Sequence, residues 1–263
     1  MEKVYPFFRK MIWGNPELNK IFDIKGEPIG EIWLVSGHHF HTSVLSSGRN
    51  INEASEQLCG KKFDRFPLLV KLISSSSWLS VQVHPDDEYA KSVENEPWGK
   101  NEAWYFLSDG TIAICEEPSL IKNALKKGNW NNVLRIEKIK AGTFVNIPAG
   151  TIHALGPNST VIEVQQSSDL TYRIYDWGRG RETHIKKALE VAKPVKFKDL
   201  LAPNVETKYF LMKEILEEKI QDFSIVVPKK ITKDYSAFLI SNGDFEKVKN
   251  SIVIKLGKFF LNL

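Results

Sequence analysis

Short apolar runs, each cut off by turn chemistry, recur along most of this chain and restrict it to a fold built chiefly from short strands. Leu68–Ile73 is apolar apart from Lys71, and Trp78–His84 alternates until Pro85 stops it. Glu102–Leu107 runs into the turn signal Ser108-Asp109-Gly110 and resumes as Thr111–Cys115. Thr143–Ile147, Val161–Gln165 and Thr171–Tyr175 follow, separated by Gly, Pro, Asn and Asp clusters. Helical signals are fewer: Asn52–Leu58, Pro85–Val93 with its acidic first turn, Ser119–Lys127 behind a Ser N-cap, and Arg181–Val191. Many short strands with a few small helices predict a β-sandwich or jelly roll with helical additions.

Length and composition set the scale. The 263 residues suffice for one or two domains, and 42% hydrophobic residues, with 7 Trp, 15 Phe and 7 Tyr, supply a sizeable core and exclude a disordered chain. No internal repeat of fixed period is present. Around Lys193-Pro194 to Pro203 the chain reads as a connector, so residues 1–195 are expected to form one domain and 196–263 a smaller β-domain. That second part shows strand signals at Tyr209–Met212, Phe223–Val227, Ala237–Ser241 and Ile252–Leu256, and it contains no histidine.

Several function classes fall away. No stretch approaches the ~18 apolar residues a membrane span needs, and Met1-Glu2-Lys3-Val4-Tyr5-Pro6 is not the start of a signal peptide. The net charge of +4 is too mild to imply nucleic acid, although it favours a small anion. Two cysteines, Cys59 and Cys115, are too few for a disulfide framework or a thiolate zinc site, so a cytoplasmic location is expected.

The six histidines are the scarce and more informative resource. Gln82 and His84 are two apart on an expected strand, so their side chains share one face. Glu102 opens the next apolar run, where a carboxylate is costly unless paired. His153 follows the Pro148-Ala149-Gly150 turn at a strand start. Two imidazoles and a carboxylate, with an amide oxygen or water completing the shell, suit Zn²⁺ acting as a Lewis acid. Taken singly, each of these residues also reads as an ordinary structural one, and spacing alone does not bring three strands together. His38-His39-Phe40-His41 is denser in histidine, but between Ser36-Gly37 and Thr42-Ser43 it reads as an exposed loop. His84-Pro85-Asp86 also fits half of a facial triad that, with His153, would suit a non-haem Fe(II) oxygenase. Pro85 opposes that reading, because it ends the strand and turns Asp86 into the following helix.

Charged residues on apolar runs either face water or line a polar pocket. Lys71, Lys100 and Arg173 are the cations of interest: Lys is a mobile point charge, whereas Arg offers a planar fork to a phosphate or alkoxide. Glu163 and Gln165 share a face of Val161–Gln165, which makes Glu163 either a proton carrier or a partner for Arg173.

Five separated segments occur in a telling order: Arg65–Lys71, Trp78–Asp87, Gly99–Tyr105, Ile147–Ala154 and Glu163–Arg173. Together with Trp13-Gly14 and Ile29-Gly30-Glu31-Ile32-Trp33, they closely resemble the type I mannose-6-phosphate isomerases in their short bacterial form, over roughly residues 5 to 185. The resemblance implies a cupin (jelly-roll) fold, a zinc ion, and reversible interconversion of mannose 6-phosphate and fructose 6-phosphate. By motif, it implies His84, Glu102 and His153 as metal ligands with Gln82 as a further one. It also implies Arg173 as the active-site arginine, Lys71 and Lys100 as pocket lysines that anchor substrate, and Glu163 as an acidic pocket residue. Asn101 stands where the family usually has Thr, and Val253–Leu263 ends before the closing strands expected of the second domain. That smaller domain is therefore expected to be incomplete or differently closed. The expected partner is a small sugar phosphate bound by a monomer or homodimer. A non-catalytic sugar-phosphate-binding cupin is the remaining alternative.

Overall fold

The computed structural model describes residues 1–262. Its strands, in chain order, are β1 (Glu2–Lys3), β2 (Phe7–Lys10), β3 (Ile29–Ser36), β4 (Leu68–Ser75), β5 (Val81–Val83) and β6 (Glu102–Phe106). Then come β7 (Gly110–Cys115), β8 (Arg135–Ile139), β9 (Phe144–Ile147), β10 (Ile152–Leu155), β11 (Ser159–Gln166) and β12 (Tyr172–Tyr175). The last six are β13 (Leu201–Ala202), β14 (Val205–Glu206), β15 (Phe210–Gln221), β16 (Ser224–Pro228), β17 (Phe238–Ile240) and β18 (Phe245–Leu256). They form a seven-stranded sheet of order β13-β9-β6-β11-β4-β3-β2, a five-stranded sheet β12-β5-β10-β7-β8, and a six-stranded sheet β1-β17-β16-β18-β15-β14.

The sheets stack in layers, with the seven-stranded sheet in the middle. Its inner face packs on the five-stranded sheet through Ile73, Phe106, Val145 and Val161 against Ile112, Ile114 and Leu155. Its outer face, through Val70, Leu72, Ile162 and Val164, packs on Phe210, Met212, Ile225 and Ile252 of the six-stranded sheet. A strand covered on both faces must be apolar on both, which is why Leu68–Ile73 reads as a continuous hydrophobic run rather than an alternating one. The far face of the five-stranded sheet is closed by two short helices, Ile121–Lys127 and Ile185–Val191. This is the jelly-roll sandwich expected from the strand pattern.

Strand pairing crosses residue 195 in both directions. Leu201–Ala202 pairs with β9 in the seven-stranded sheet, while Glu2–Lys3 pairs with Leu239 and Phe238 in the six-stranded sheet. Within the C-terminal part, β15 and β18 are longer than the apolar runs at Tyr209–Met212 and Ile252–Leu256 indicate. Their distal halves are a two-stranded ribbon held by charge, with Glu217 paired to both Lys247 and Lys249. Two other expectations are corrected. Trp78–Ser80 lies outside the ladder, where Trp78 stacks on Trp177 instead. Arg181–His184 is not helical: the helix starts at Ile185, and Arg181 turns back to Asp176. No helix among the described residues is long and apolar enough to cross a membrane.

Candidate active site

The polar exceptions to the hydrophobic pattern lie between the two sheets of the sandwich. Residues directly paired across antiparallel strands point to the same face. Trp33, Lys71, Glu163 and Trp104 form one such row across β3, β4, β11 and β6. Two residues along β6, Glu102 pairs with Gln165. On the opposing sheet, Gln82 lies between His153 and Arg173. His84 follows directly at the end of β5.

Two glycines bring the ends of these strands together. Gly150, at φ +95°, makes the turn into β10 and donates its N–H to the His84 carbonyl at 2.9 Å, so His153 enters its strand alongside His84. At Gly99 a Cβ would collide with the Pro85 carbonyl oxygen; the close approach lets the Lys100 N–H donate to that oxygen at 3.0 Å and aims Lys100 inward.

The result is a buried cluster of His84, Glu102 and His153, whose candidate ligand atoms all lie within 4.8 Å of one another. His153 Nε2 is 3.0 Å from Glu102 Oε1, and His84 Nε2 is 3.5 Å from Glu102 Oε2. The other ring nitrogens are committed: His84 Nδ1 lies 2.8 Å from the Leu170 carbonyl and His153 Nδ1 3.0 Å from the Thr151 carbonyl. A carbonyl oxygen only accepts, so each Nδ1 carries a hydrogen and each ring turns its Nε2 toward Glu102. Among the described residues, neither Glu102 oxygen nor His153 Nε2, all buried, has a partner in hydrogen-bonding geometry. Two imidazole Nε2 atoms and a carboxylate converging on one point fit a divalent cation such as zinc.

The local field agrees with that chemistry. Burial pushes the His84 pKa down, the Lys100 ammonium pushes it further, and the ring is held well below its usual range. Burial would raise the Glu102 pKa, but Lys100, His84 and His153 together hold it well below the ordinary carboxylate range. Lys100 Nζ is 2.8 Å from Glu102 Oε2 and 3.0 Å from His84 Nε2. Asp86, the carboxylate of the facial-triad alternative, instead caps the helix Asp87–Val93 through the Tyr89 N–H and pairs with Lys193 at 2.8 Å.

Beside the cluster is a cavity of about 300 Å³ whose lining includes Gln82, Lys71, Lys100, Glu163 and Arg173. The sequence-derived residues therefore meet in two adjoining groups, a buried triad and a charged cavity, with Lys100 belonging to both. Glu163 is not the partner of Arg173: its Oε1 is 3.0 Å from Lys71 Nζ, and its Oε2 accepts from the Trp104 indole at 2.8 Å. Lys71 also donates to Gln165 Oε1 at 2.7 Å. Burial pushes the Lys71 pKa down, but Glu163 and Glu31 outweigh it and raise it above the ordinary lysine value.

Sequence reasoning missed Arg9, Glu31, Asp169 and Arg181, which line the same cavity. Glu31 is buried, accepts from the Trp33 indole at 2.7 Å and pairs with Arg9 at 3.1 Å. A glutamate inside the apolar stretch Ile29–Val35 was the available signal. The His38–His41 segment also needs correcting. His38 is buried rather than in an exposed loop, accepting the Phe40 N–H at 3.2 Å on Nδ1 and placing Nε2 3.6 Å from Asp169. His41 stacks on Phe7, and His39 is exposed.

Comparison with known proteins bears on this geometry. The family profile "Phosphomannose isomerase type I, catalytic domain" matches residues 2–105. Mannose-6-phosphate isomerase ManA of Bacillus subtilis is 37% identical over 207 residues, covering 71% of this chain and 66% of that protein. Mannose-6-phosphate isomerase of Streptococcus mutans is 39% identical over 204 residues, 69% of this chain and 64% of its own. The matches thus span a little under two thirds of these relatives' lengths. The crystal structure of the mannose 6-phosphate isomerase from Bacillus subtilis superimposes with a TM-score of 0.73 at 27% identity, covering 97% of this chain and 96% of that one.

Proposed function

The chain belongs to the type I phosphomannose isomerase family, and from that premise we propose that it is a zinc-dependent aldose–ketose isomerase interconverting mannose 6-phosphate and fructose 6-phosphate. The observation that carries this reading is the convergence of two Nε2 atoms and the Glu102 carboxylate in a buried cluster next to a cavity rich in paired charges. His84, Glu102 and His153 would hold the metal, with Gln82, directly opposite His153 across the ladder, as a fourth donor. Zinc held there supplies Lewis acidity toward a sugar carbonyl and its neighbouring hydroxyl.

The chain's own residues do the rest. Glu163 is the proton carrier between C1 and C2: Trp104 fixes one carboxylate oxygen, and the other is buried without a hydrogen bond of good geometry, leaving a lone pair for a C–H proton. Lys71, 3.0 Å from that oxygen, orients the carboxylate. Lys100, at the edge of the triad, donates toward the oxygens at the reacting end of the sugar. Arg173, a half-buried guanidinium on the cavity wall, adds positive charge where an oxyanion develops. Residues 1–195 supply all of these groups, and we assign the sheet built mainly from 196–263 a supporting role behind the seven-stranded layer.

The test is a coupled assay for fructose 6-phosphate formation on protein of verified zinc content. Turnover that is lost on chelation and restored by zinc supports the proposal. Absence of turnover with the metal in place overturns it in favour of a binding protein, and iron with oxoglutarate-dependent oxygen uptake overturns it in favour of an oxygenase.

A further inference from the structure

The cations of the cavity cease to be equivalent once their counter-charges are assigned. Arg9 is tied to Glu31 at 3.1 Å and Lys71 to Glu163 at 3.0 Å. Lys100 lies against His84 and Glu102, which puts it at the reacting end of a bound sugar, away from a phosphate on the last carbon. Arg173 and Arg181 remain. Among the described residues, Arg173 has no carboxylate within ion-pair distance; its Nη1 donates to the Glu182 carbonyl at 2.7 Å, and its Nε is buried without an acceptor. Arg181 donates through Nε and Nη2 to Asp176 Oδ2 and Oδ1 at 2.8 and 2.6 Å, and Arg179 Nη2 shares Oδ1 at 2.7 Å. One carboxylate serving two guanidiniums leaves net positive charge. A two-point pair also uses only two of a guanidinium's five donors. Arg181 lines the cavity with Arg173, whereas Arg179 does not.

The loop that presents Arg181 is a built feature. Trp177 has φ +54°, with Gly178 at +78° and Gly180 at +75°, a left-handed path that turns the chain back on Asp176. A tryptophan in that region is strained, because its Cβ crowds the backbone there. The cost is offset locally: the Trp177 ring stacks on Trp78 at 4.9 Å, and its indole N–H donates to the Leu79 carbonyl at 2.7 Å. Asp176 itself is buried, while the Arg181 side chain keeps partial exposure.

We infer that Arg181, held on Asp176 by the 176–181 loop, is a specificity-determining anchor for the phosphate of the substrate. A planar guanidinium with three free donors suits a phosphomonoester dianion better than a lysine already spent on a carboxylate. The assignment rests on the isomerase reading for the identity of the sugar, but the charge accounting applies to any phosphomonoester.

The experiment titrates inorganic phosphate into zinc-verified protein by calorimetry, comparing wild type with Arg181→Gln, and measures mannose 6-phosphate kinetics on both. The expected result is phosphate binding at least tenfold weaker in the variant, a comparable rise in KM, and kcat within about threefold, because a purely structural loss would depress kcat and stability instead. As a check that needs no variant, phosphate should slow phenylglyoxal modification of Arg181 in the wild-type protein, read by peptide mass spectrometry. Wild-type protein that binds no phosphate, equal phosphate affinity in the variant, or unprotected Arg181 overturns the inference. The two readings separate cleanly. Phosphate binding through Arg181 without turnover overturns the isomerase and keeps the anchor, while turnover with unchanged KM and phosphate affinity in Arg181→Gln does the reverse.

Discussion

Glu163→Gln is the substitution that most directly probes the site, because it keeps the side chain's shape while removing both the proposed proton acceptor and the counter-charge of Lys71. The catalytic loss follows from the role: removing a positioned acid–base group costs roughly 10²–10⁴ in rate. The structural loss follows from burial. Glu163 and Lys71 are 2% and 7% exposed and 3.0 Å apart, and breaking a buried pair by removing one partner costs about 3–5 kcal/mol. That range is an upper bound here, since Gln165 Oε1 still accepts from Lys71 and Glu31 remains nearby. With an unfolding entropy of about 2.1 cal/mol/K per residue over 263 residues, this is a fall in Tm of up to about 5–9 °C. Lys71 has a raised pKa in the fold, so its contribution is fully present below the ordinary lysine pKa and is lost only as pH rises through the folded value. Measurements near pH 7.5 therefore see all of it. The assay combines kcat, incorporation of deuterium from solvent into the sugar, zinc content and a thermal melt. A variant that melts several degrees lower, keeps its zinc and loses both kcat and deuterium exchange meets the expectation. Wild-type kcat and exchange in Glu163→Gln would refute the proton-carrier role, and an unchanged Tm would refute the energetic reading of the pair.

Three further outcomes are expected. Glu102→Gln, which takes the single charge out of the triad, should drop bound zinc to a small fraction of wild type by elemental analysis and abolish turnover; full zinc occupancy would contradict the ligand set. Gly150→Ala should destabilise by about 1–3 kcal/mol in urea unfolding, since φ is +95° and the new Cβ would press on Lys193, and should weaken zinc binding through the displaced His153. Asp176 is pushed up by burial but held below the ordinary carboxylate pKa by Arg181 and Arg179, so its contribution is present above about pH 4 and is lost as pH falls through the depressed folded value. Asp176→Asn should accordingly lower the urea midpoint at pH 7 and flatten its decline on acidification; parallel curves for the two proteins would contradict this.

Much of the site was visible as breaks in pattern. Lys71 and Glu102 stand out because each interrupts or opens an apolar run, and the layered fold explains why: β4 and β6 are buried on both faces, so an inward charge there must have a partner. The ribbon of β15 and β18 was only half visible, since its outer half is stabilised by cross-strand charge that leaves no hydrophobic signal. Arg181 was misread as the first turn of a helix. The bidentate bond to Asp176 and the left-handed Trp177 pull it out of that helix, and both are contacts that periodicity does not encode. His38 was misread as exposed because its polar neighbours suggest a loop, whereas the fold buries the ring against Trp33 and Asp169.

By itself the sequence determined a strand-rich sandwich, the absence of a long apolar helix, and the residue types able to hold a divalent metal, since these depend on local alternation, turn chemistry and side-chain identity. Tertiary structure alone decided which charges pair. Glu163 and Lys71 lie 92 positions apart, and Glu102 and His153 51 apart, and their meeting depends on register between strands from distant parts of the chain. The same register leaves Arg173 without a carboxylate and Arg181 sharing one, so the charge left over for a substrate is a property of the assembled sheets rather than of any segment.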